Sequence, residues 1–284
     1  MYAAMCFPAA LAIQVGTNLI NDAEDFRRGA DTEKRVGPTR VTQAGLLSMA
    51  QVHGAGVLCF LLGCLLCVPA FVARGWRLLL LVLTCCCAGY AYTGGPYPLA
   101  YHGLGDLTVV VFFGAVATAG LKVTVGGGRD PLADASYRYY DADTLVAGTQ
   151  IGLLCCMLLA INNIRDYHSD REHNKRTLVV RFGLRFGRWE VAALVAAAYA
   201  LGFCHWYLAR DRPLAFALPV ACSSPIALGV VRDVLANTGG GAGGGAGGGG
   251  AEAKKDAFGA ILARSALLHL VFSAALAASI AFSC

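Results

Sequence analysis

Residues 144 to 163, TLVAGTQIGLLCCMLLAINN, run twenty positions without a charged side chain and end directly in NNIRDYHSD. A helix needs roughly 20 apolar residues to cross a bilayer. Inside the bilayer, backbone polar groups must be satisfied within the helix itself. The same reasoning along the chain predicts spans near 2–20, 46–73, 76–93, 104–125, 144–163, 189–209, 213–235 and 257–282. Apolar residues make up 57% of the chain and charged ones 14%, which excludes a soluble domain, where about 25% charge is usual. The expected fold is therefore all-α, a polytopic membrane helix bundle of about eight spans forming a single domain over 1–284. The glycine tract at 239–250 is expected to be a flexible loop within it.

Two acidic stretches close apolar runs. Asn162, Asp166 and Asp170 recur every fourth residue, which places them on one helical face. Asn18, Asp22 and Asp25, in NLINDAEDFRRGAD, repeat the pattern with i, i+4, i+7 spacing. Carboxylates at a membrane helix end are costly unless a cation meets them. Their duplication in the two halves of the chain predicts two pseudo-repeats around a central cavity.

Loop charge predicts the orientation. The loops after spans one, three, five and seven carry fifteen Lys and Arg, against seven in the alternate loops. The positive-inside rule puts the first set in the cytoplasm, or on the stromal or matrix side of an organelle. An even number of crossings separates Asp22 from Asp166, so the two motifs reach the same face. The loop YTGGPYPLAYHGLGD, residues 92 to 106, emerges there too and is read as a cap. Trp76, Trp189 and Trp206 sit at span ends, as an aromatic belt does. Most of the twelve cysteines lie inside apolar runs and are read as packing residues, the Cys64/Cys67 pair included.

Facing carboxylates and amides are hard oxygen ligands, which suit Mg²⁺ bound through one or two carboxylates, with water and phosphate filling its shell. Diphosphate is the natural bridging ligand. Arg165, Arg171, Lys175 and Arg176 can take the remaining phosphate charge. Acid beside base at a membrane cavity fits a lipid diphosphate better than a soluble nucleotide, and no nucleic-acid partner is expected. Asp31 reads equally as a site residue or a turn residue. Arg181, Arg185 and Arg188 read first as lipid anchors, and His102 and His168 as loop histidines.

At NLINDAEDFRRGADTEKRVGPTR, YTGGPYPLAYHGLGD and NNIRDYHSDREHNKRTLVVRFG the chain resembles the UbiA-type intramembrane aromatic prenyltransferases, in particular those acting on 1,4-dihydroxy-2-naphthoate in menaquinone synthesis. The likeness covers about residues 10 to 190. It implies Mg²⁺-dependent transfer of a polyprenyl group from polyprenyl diphosphate to the naphthoate, coupled to loss of its carboxylate. Carried onto this sequence, Asp22, Asp25, Asp166 and Asp170 would hold the metal and act in catalysis. Asn18, Asn162, Arg165, Lys175 and Arg176 would bind diphosphate. Tyr92, Tyr97 and Tyr101 would lie in the cap, with Tyr92 counted among the catalytic residues. The family pattern has nine spans, and this sequence starts at a position matching the second, so the first helix is expected to be absent from it. A plastid membrane is one expected location.

Three rival readings stand beside this one. A sibling enzyme acting on 4-hydroxybenzoate or homogentisate would share the acidic motifs but not the GGPYPLAYHGLG cap. A cation transporter would place its acids near mid-membrane. An inactive paralogue would keep the pattern without the chemistry.

Overall fold

The computed structural model describes residues 2–31, 37–125, 142–209, 213–236 and 249–283, and the described residues are helices and turns with no strand. The glycine tract read as a flexible loop lies almost wholly outside them. Seven helices among the described residues are long and apolar enough to cross a membrane. The protein is an integral, multi-pass helical bundle. The remaining expected span, 189–209, falls within a further long helix, Leu184–Ala209.

The first half begins with α1 (Tyr2–Arg27). The chain reverses and enters α2 (Met49–Leu66) through a capping box: Ser48 Oγ accepts from the Gln51 amide, and Gln51 Oε1 accepts from the Ser48 amide. Pro69 then interrupts the helical ladder, so the crossing continues as a separate short helix, α3 (Val68–Arg74). Gly75, at φ 89°, turns the chain into α4 (Trp76–Thr93). The cap segment carries a 3₁₀ turn at Leu99–His102. The next crossing is composite: α5 (Gly105–Val109), a π-helical stretch at Val110–Val116, and α6 (Ala117–Val125).

The second half contains α7 (Ala142–Arg165), the short α8 (Tyr167–Glu172) and α9 (Leu178–Phe182), and then α10 (Leu184–Ala209), α11 (Pro213–Ala236) and α12 (Gly249–Ser283). Two buried clusters follow this division. One joins α1, α2 and α4 through Ala9, Ile20, Phe60, Val82 and Cys86. The other joins α7, α10, α11 and α12 through Leu154, Met157, Ile161, Val191, Val230 and Phe272.

Packing between membrane helices cannot rely on escape from water, so small residues bring backbones together. Between α1 and α2, a Cβ on Gly16 would lie 2.9 Å from the Gly56 carbonyl, and one on Gly63 would lie 2.7 Å from Ile13. α7 is the central element. Half of its spanning window is buried, against 17 to 28% for the other spans. It meets the π-helical stretch so closely that a Cβ on Gly152 would lie 2.6 Å from the Val110 carbonyl. This seam fixes the end of α7, which bears the second acidic motif, against the crossing that follows the cap.

Candidate functional site

The first motif is shaped by how α1 stops. Gly29, at φ 72°, donates to the Phe26 carbonyl, and Ala30 donates to that of Asp25, a left-handed glycine closure of the helix end. This reversal carries Asp31 back beside Asp25, and both are buried. The second motif stays helical across the junction of α7 and α8. Asp166 donates its amide to the Asn162 carbonyl at 2.9 Å, and Asp170 donates to that of Asp166 at 2.8 Å, so the fourfold spacing survives. Asn174 then takes a left-handed conformation at φ 56°, one that Asn tolerates better than most residues. The Lys175 amide consequently folds back onto the Asp170 carbonyl at 2.8 Å.

The two motifs meet, as the even count of crossings allows. Asp25, Ala30, Asp31, Asp166, Ser169, Asp170 and Lys175 line one cavity of about 10 Å³. Ser169 Oγ donates to the Ala30 carbonyl at 3.3 Å and ties the second motif to the reversal after the first. Lys175 Nζ lies 3.3 Å from Asp25 Oδ2 and 3.9 Å from Asp170 Oδ1. Arg165 grips Asp166 with a fork, at 2.8 Å from Nε and 2.7 Å from the terminal nitrogen. Arg40 Nε stands 3.6 Å from Asp31.

The cap closes over this arrangement. The Tyr101 hydroxyl donates to Asp25 Oδ1 at 2.8 Å. Arg28 lies over the Tyr101 ring at 5.0 Å and donates to the Gly95 carbonyl. The Arg176 amide donates to the Tyr101 carbonyl, and Arg181 donates to that of His102. Arg181, read from sequence as a lipid anchor, therefore straps the cap to the second motif. Gly103, at φ 73°, packs so tightly there that a Cβ would lie 3.0 Å from the Arg176 carbonyl.

Burial alone would lower the Lys175 pKa, but the carboxylates of Asp25 and Asp170 outweigh it and hold the ammonium above its ordinary 10.5. A raised lysine value means that the contact contributes fully below that pH and fades only as pH climbs through the raised value. Burial, and then the charge of Asp25, push the Tyr101 phenol up as well. The site thus keeps a charged lysine and a neutral phenol throughout the neutral range.

The other sequence candidates occupy varied positions. Asp22 is buried, but its Oδ2 accepts from the Val41 amide at 3.0 Å and it does not line the cavity. Asn18 is exposed on α1, and Asn162 bonds back to the Leu158 carbonyl. Tyr92 sits half-buried in α4, its hydroxyl 3.1 Å from where a Cβ on Gly105 would be. The Arg176 side chain is exposed. Tyr97 stacks on His102 at 3.7 Å, and neither His102 nor His168 lines the cavity. Asn21 gained no role from the sequence, yet its Oδ1 is buried without a hydrogen-bond partner among the described residues. The signal for it was present: Asn21 and Asp25 repeat the fourfold spacing of Asn162 and Asp166 one turn beyond Asn18 and Asp22.

Hard oxygen donors from both halves of the chain face one space, and a buried Asp22 oxygen lacks a partner among the described residues. This donor set fits a hard divalent cation held by one or two carboxylates and completed by water and phosphate oxygens. It is not an all-protein cage: among the described residues no three His, Cys, Asp or Glu side chains converge on one point. Tyr101→Phe is expected to cost about tenfold in turnover, because the Asp25 oxygen it leaves is buried and must be rehydrated or left unpaired. Initial rates of the two proteins in matched membranes check this.

Residues 2–238 match the UbiA prenyltransferase family. The chain is 35% identical over 203 residues to a 1,4-dihydroxy-2-naphthoate octaprenyltransferase of Mycobacterium tuberculosis, covering 71% of this chain and 65% of the relative. It is 34% identical to the enzyme of that name from Haemophilus influenzae, over 69% of this chain and 64% of the relative. For that of Escherichia coli the identity is 35%, over 60% and 54%. The chain spans less than two thirds of the length of each of these relatives.

Proposed function

The chain belongs to the UbiA prenyltransferase family, and from that premise we propose that it transfers a polyprenyl group from a polyprenyl diphosphate to 1,4-dihydroxy-2-naphthoate. The observation that carries this reading is the convergence of both acidic motifs and Lys175 on one cavity at one end of a membrane bundle. The names of the M. tuberculosis, H. influenzae and E. coli relatives, each a 1,4-dihydroxy-2-naphthoate octaprenyltransferase, support the naphthoate as acceptor. The excess of basic residues in the loops on the motif side supports placing that end toward the cytoplasm or its organellar equivalent.

A divalent cation, read here as Mg²⁺, would be held by one or two carboxylates at a time from Asp25, Asp166 and Asp170, with Asp22 and Asp31 nearby and water and phosphate oxygens completing its shell. When bound, it supplies charge neutralisation for the diphosphate leaving group. The residues of the chain do the rest. Lys175 and Arg165 offer an ammonium and a guanidinium fork to phosphate oxygens. Tyr101 fixes the Asp25 carboxylate in place. The cap, strapped by Arg28, Arg176 and Arg181, keeps water from the allylic carbon as its C–O bond breaks. The electron pair of that bond leaves with diphosphate. The ring carbon that bears the carboxylate then forms the new C–C bond, and its C–CO₂ bond breaks, so that CO₂ departs and the electron pair of that bond returns to the ring.

The test is prenyl transfer by membranes bearing the chain, with Mg²⁺ and labelled octaprenyl diphosphate, offering the naphthoate and 4-hydroxybenzoate together. Product from the naphthoate alone, lost on chelation with EDTA, is the expected result. Product from 4-hydroxybenzoate alone overturns the acceptor, and product from neither overturns the activity.

A further inference from the structure

The carboxylates of the cavity already carry cations of their own. Lys175 bridges Asp25 and Asp170 across the two halves of the chain, and Arg165 holds both oxygens of Asp166. The Lys175 and Arg165 side chains are largely buried, 16% and 7% exposed, so these contacts are shielded from solvent. The remaining space is about 10 Å³, which is room for a single water. Lys175 lines this space, so a metal diphosphate reaches Asp25 and Asp170 by displacing its ammonium, and reaches Asp166 by displacing the Arg165 fork.

Resting on the diphosphate reading of this site, we propose that Lys175 and Arg165 are exchangeable counter-ions that make divalent-cation binding conditional on a diphosphate. A divalent cation arriving alone must displace the ammonium from two carboxylates and then lie beside it, like charge against like in a poorly solvated space. A diphosphate arriving alone meets the carboxylates of Asp25, Asp31, Asp166 and Asp170. Arriving together, each removes the obstacle to the other. The cation takes over Asp25 and Asp170, and Lys175, on its flexible four-carbon stem, swings to phosphate oxygens. Arg165 turns its fork from a carboxylate to a phosphate, a geometry it matches equally well. No bond forms or breaks in this exchange; four ionic contacts change partners.

Coupling of this kind is reciprocal, so the metal strengthens diphosphate binding by the same factor.

The experiment titrates Mn²⁺ into the full chain in lipid nanodiscs, reading free Mn²⁺ by electron paramagnetic resonance, with and without geranyl S-thiolodiphosphate. The labelled thiolodiphosphate is followed in parallel. The wild type is expected to bind Mn²⁺ at least tenfold more tightly when the thiolodiphosphate is present. Lys175→Met is expected to bind Mn²⁺ alone at least tenfold more tightly than the wild type and to lose most of the dependence. Lys175→Arg keeps the charge and is expected to keep the dependence, which separates charge exchange from a general loosening of the site. Equal Mn²⁺ affinity with and without thiolodiphosphate in the wild type, or unchanged Mn²⁺ affinity in Lys175→Met, overturns the counter-ion exchange alone. Failure of the labelled thiolodiphosphate to bind at any Mn²⁺ concentration overturns the diphosphate reading and this inference with it.

Discussion

Asp25→Asn is expected to lower prenyl transfer at least about 1000-fold while leaving the chain folded. Asp25 touches the cap, the second motif's lysine and the cavity together: Oδ1 accepts from Tyr101, and Oδ2 faces Lys175. Asn preserves the shape and one acceptor oxygen, so the folding cost should stay near 1–3 kcal/mol. The charge is what is lost, and charge is what a metal diphosphate requires. Turnover in matched membranes, with thermal unfolding in detergent as the control for folding, reads both parts. Turnover within tenfold of the wild type would remove Asp25 from the reacting site.

Gly152→Leu is expected to abolish recovery of folded protein, a larger structural effect than any single change at the site. A Cβ there would lie 2.6 Å from the Val110 carbonyl and 3.0 Å from the Gly114 Cα, and both are backbone atoms that cannot turn aside. Overpacking in a close-packed interior typically costs about 1–3 kcal/mol. Here the added atoms would also wedge α7 away from the π-helical stretch. That separation would propagate to function, because α7 carries Asn162 and Arg165 while the partner crossing continues from the cap. Gly54→Ala is the control, since nothing lies within 4 Å of its added Cβ. Monodisperse yield in size-exclusion chromatography is the readout. A Gly152→Leu protein that matches the wild type in yield and thermal stability would contradict the close approach of these helices.

Hydrophobic run length made the spans legible, because bilayer thickness leaves a spanning helix little choice of length. The breaks inside crossings were less visible. Pro69 signals the division between α2 and α3, but nothing in VVFFGAV distinguishes a π-helical stretch from an α-helix; the stretch lies where Gly148 and Gly152 of the opposing helix approach its backbone closely. That the acidic motifs share one face followed from counting crossings, which needs no side-chain detail; their meeting in one cavity is what the fold adds. The register of the first motif did not. Asn18, Asn21, Asp22 and Asp25 all lie within two turns of one helix, and helical spacing alone cannot say which face meets the second motif. Neighbours decide it: the loop amide of Val41 takes Asp22, whereas Tyr101 and Lys175 take Asp25. Asp31 enters the cavity only because Gly29 reverses the chain. Tyr101 could not be separated from Tyr92 and Tyr97 by composition, since all three are cap tyrosines and only the fold brings one of them onto a carboxylate.

The central claim is that the two halves of the chain build a single diphosphate site, and equilibrium binding tests it most directly. Labelled geranyl S-thiolodiphosphate would be titrated with Mg²⁺ into nanodiscs bearing the wild type, Asp25→Asn and Asp166→Asn. The account predicts that each substitution, one in each half, weakens binding by at least about 100-fold, since each removes a carboxylate from the same metal and phosphate cluster. Wild-type affinity in either variant would contradict it, because a site that survives the loss of one motif is not built by both.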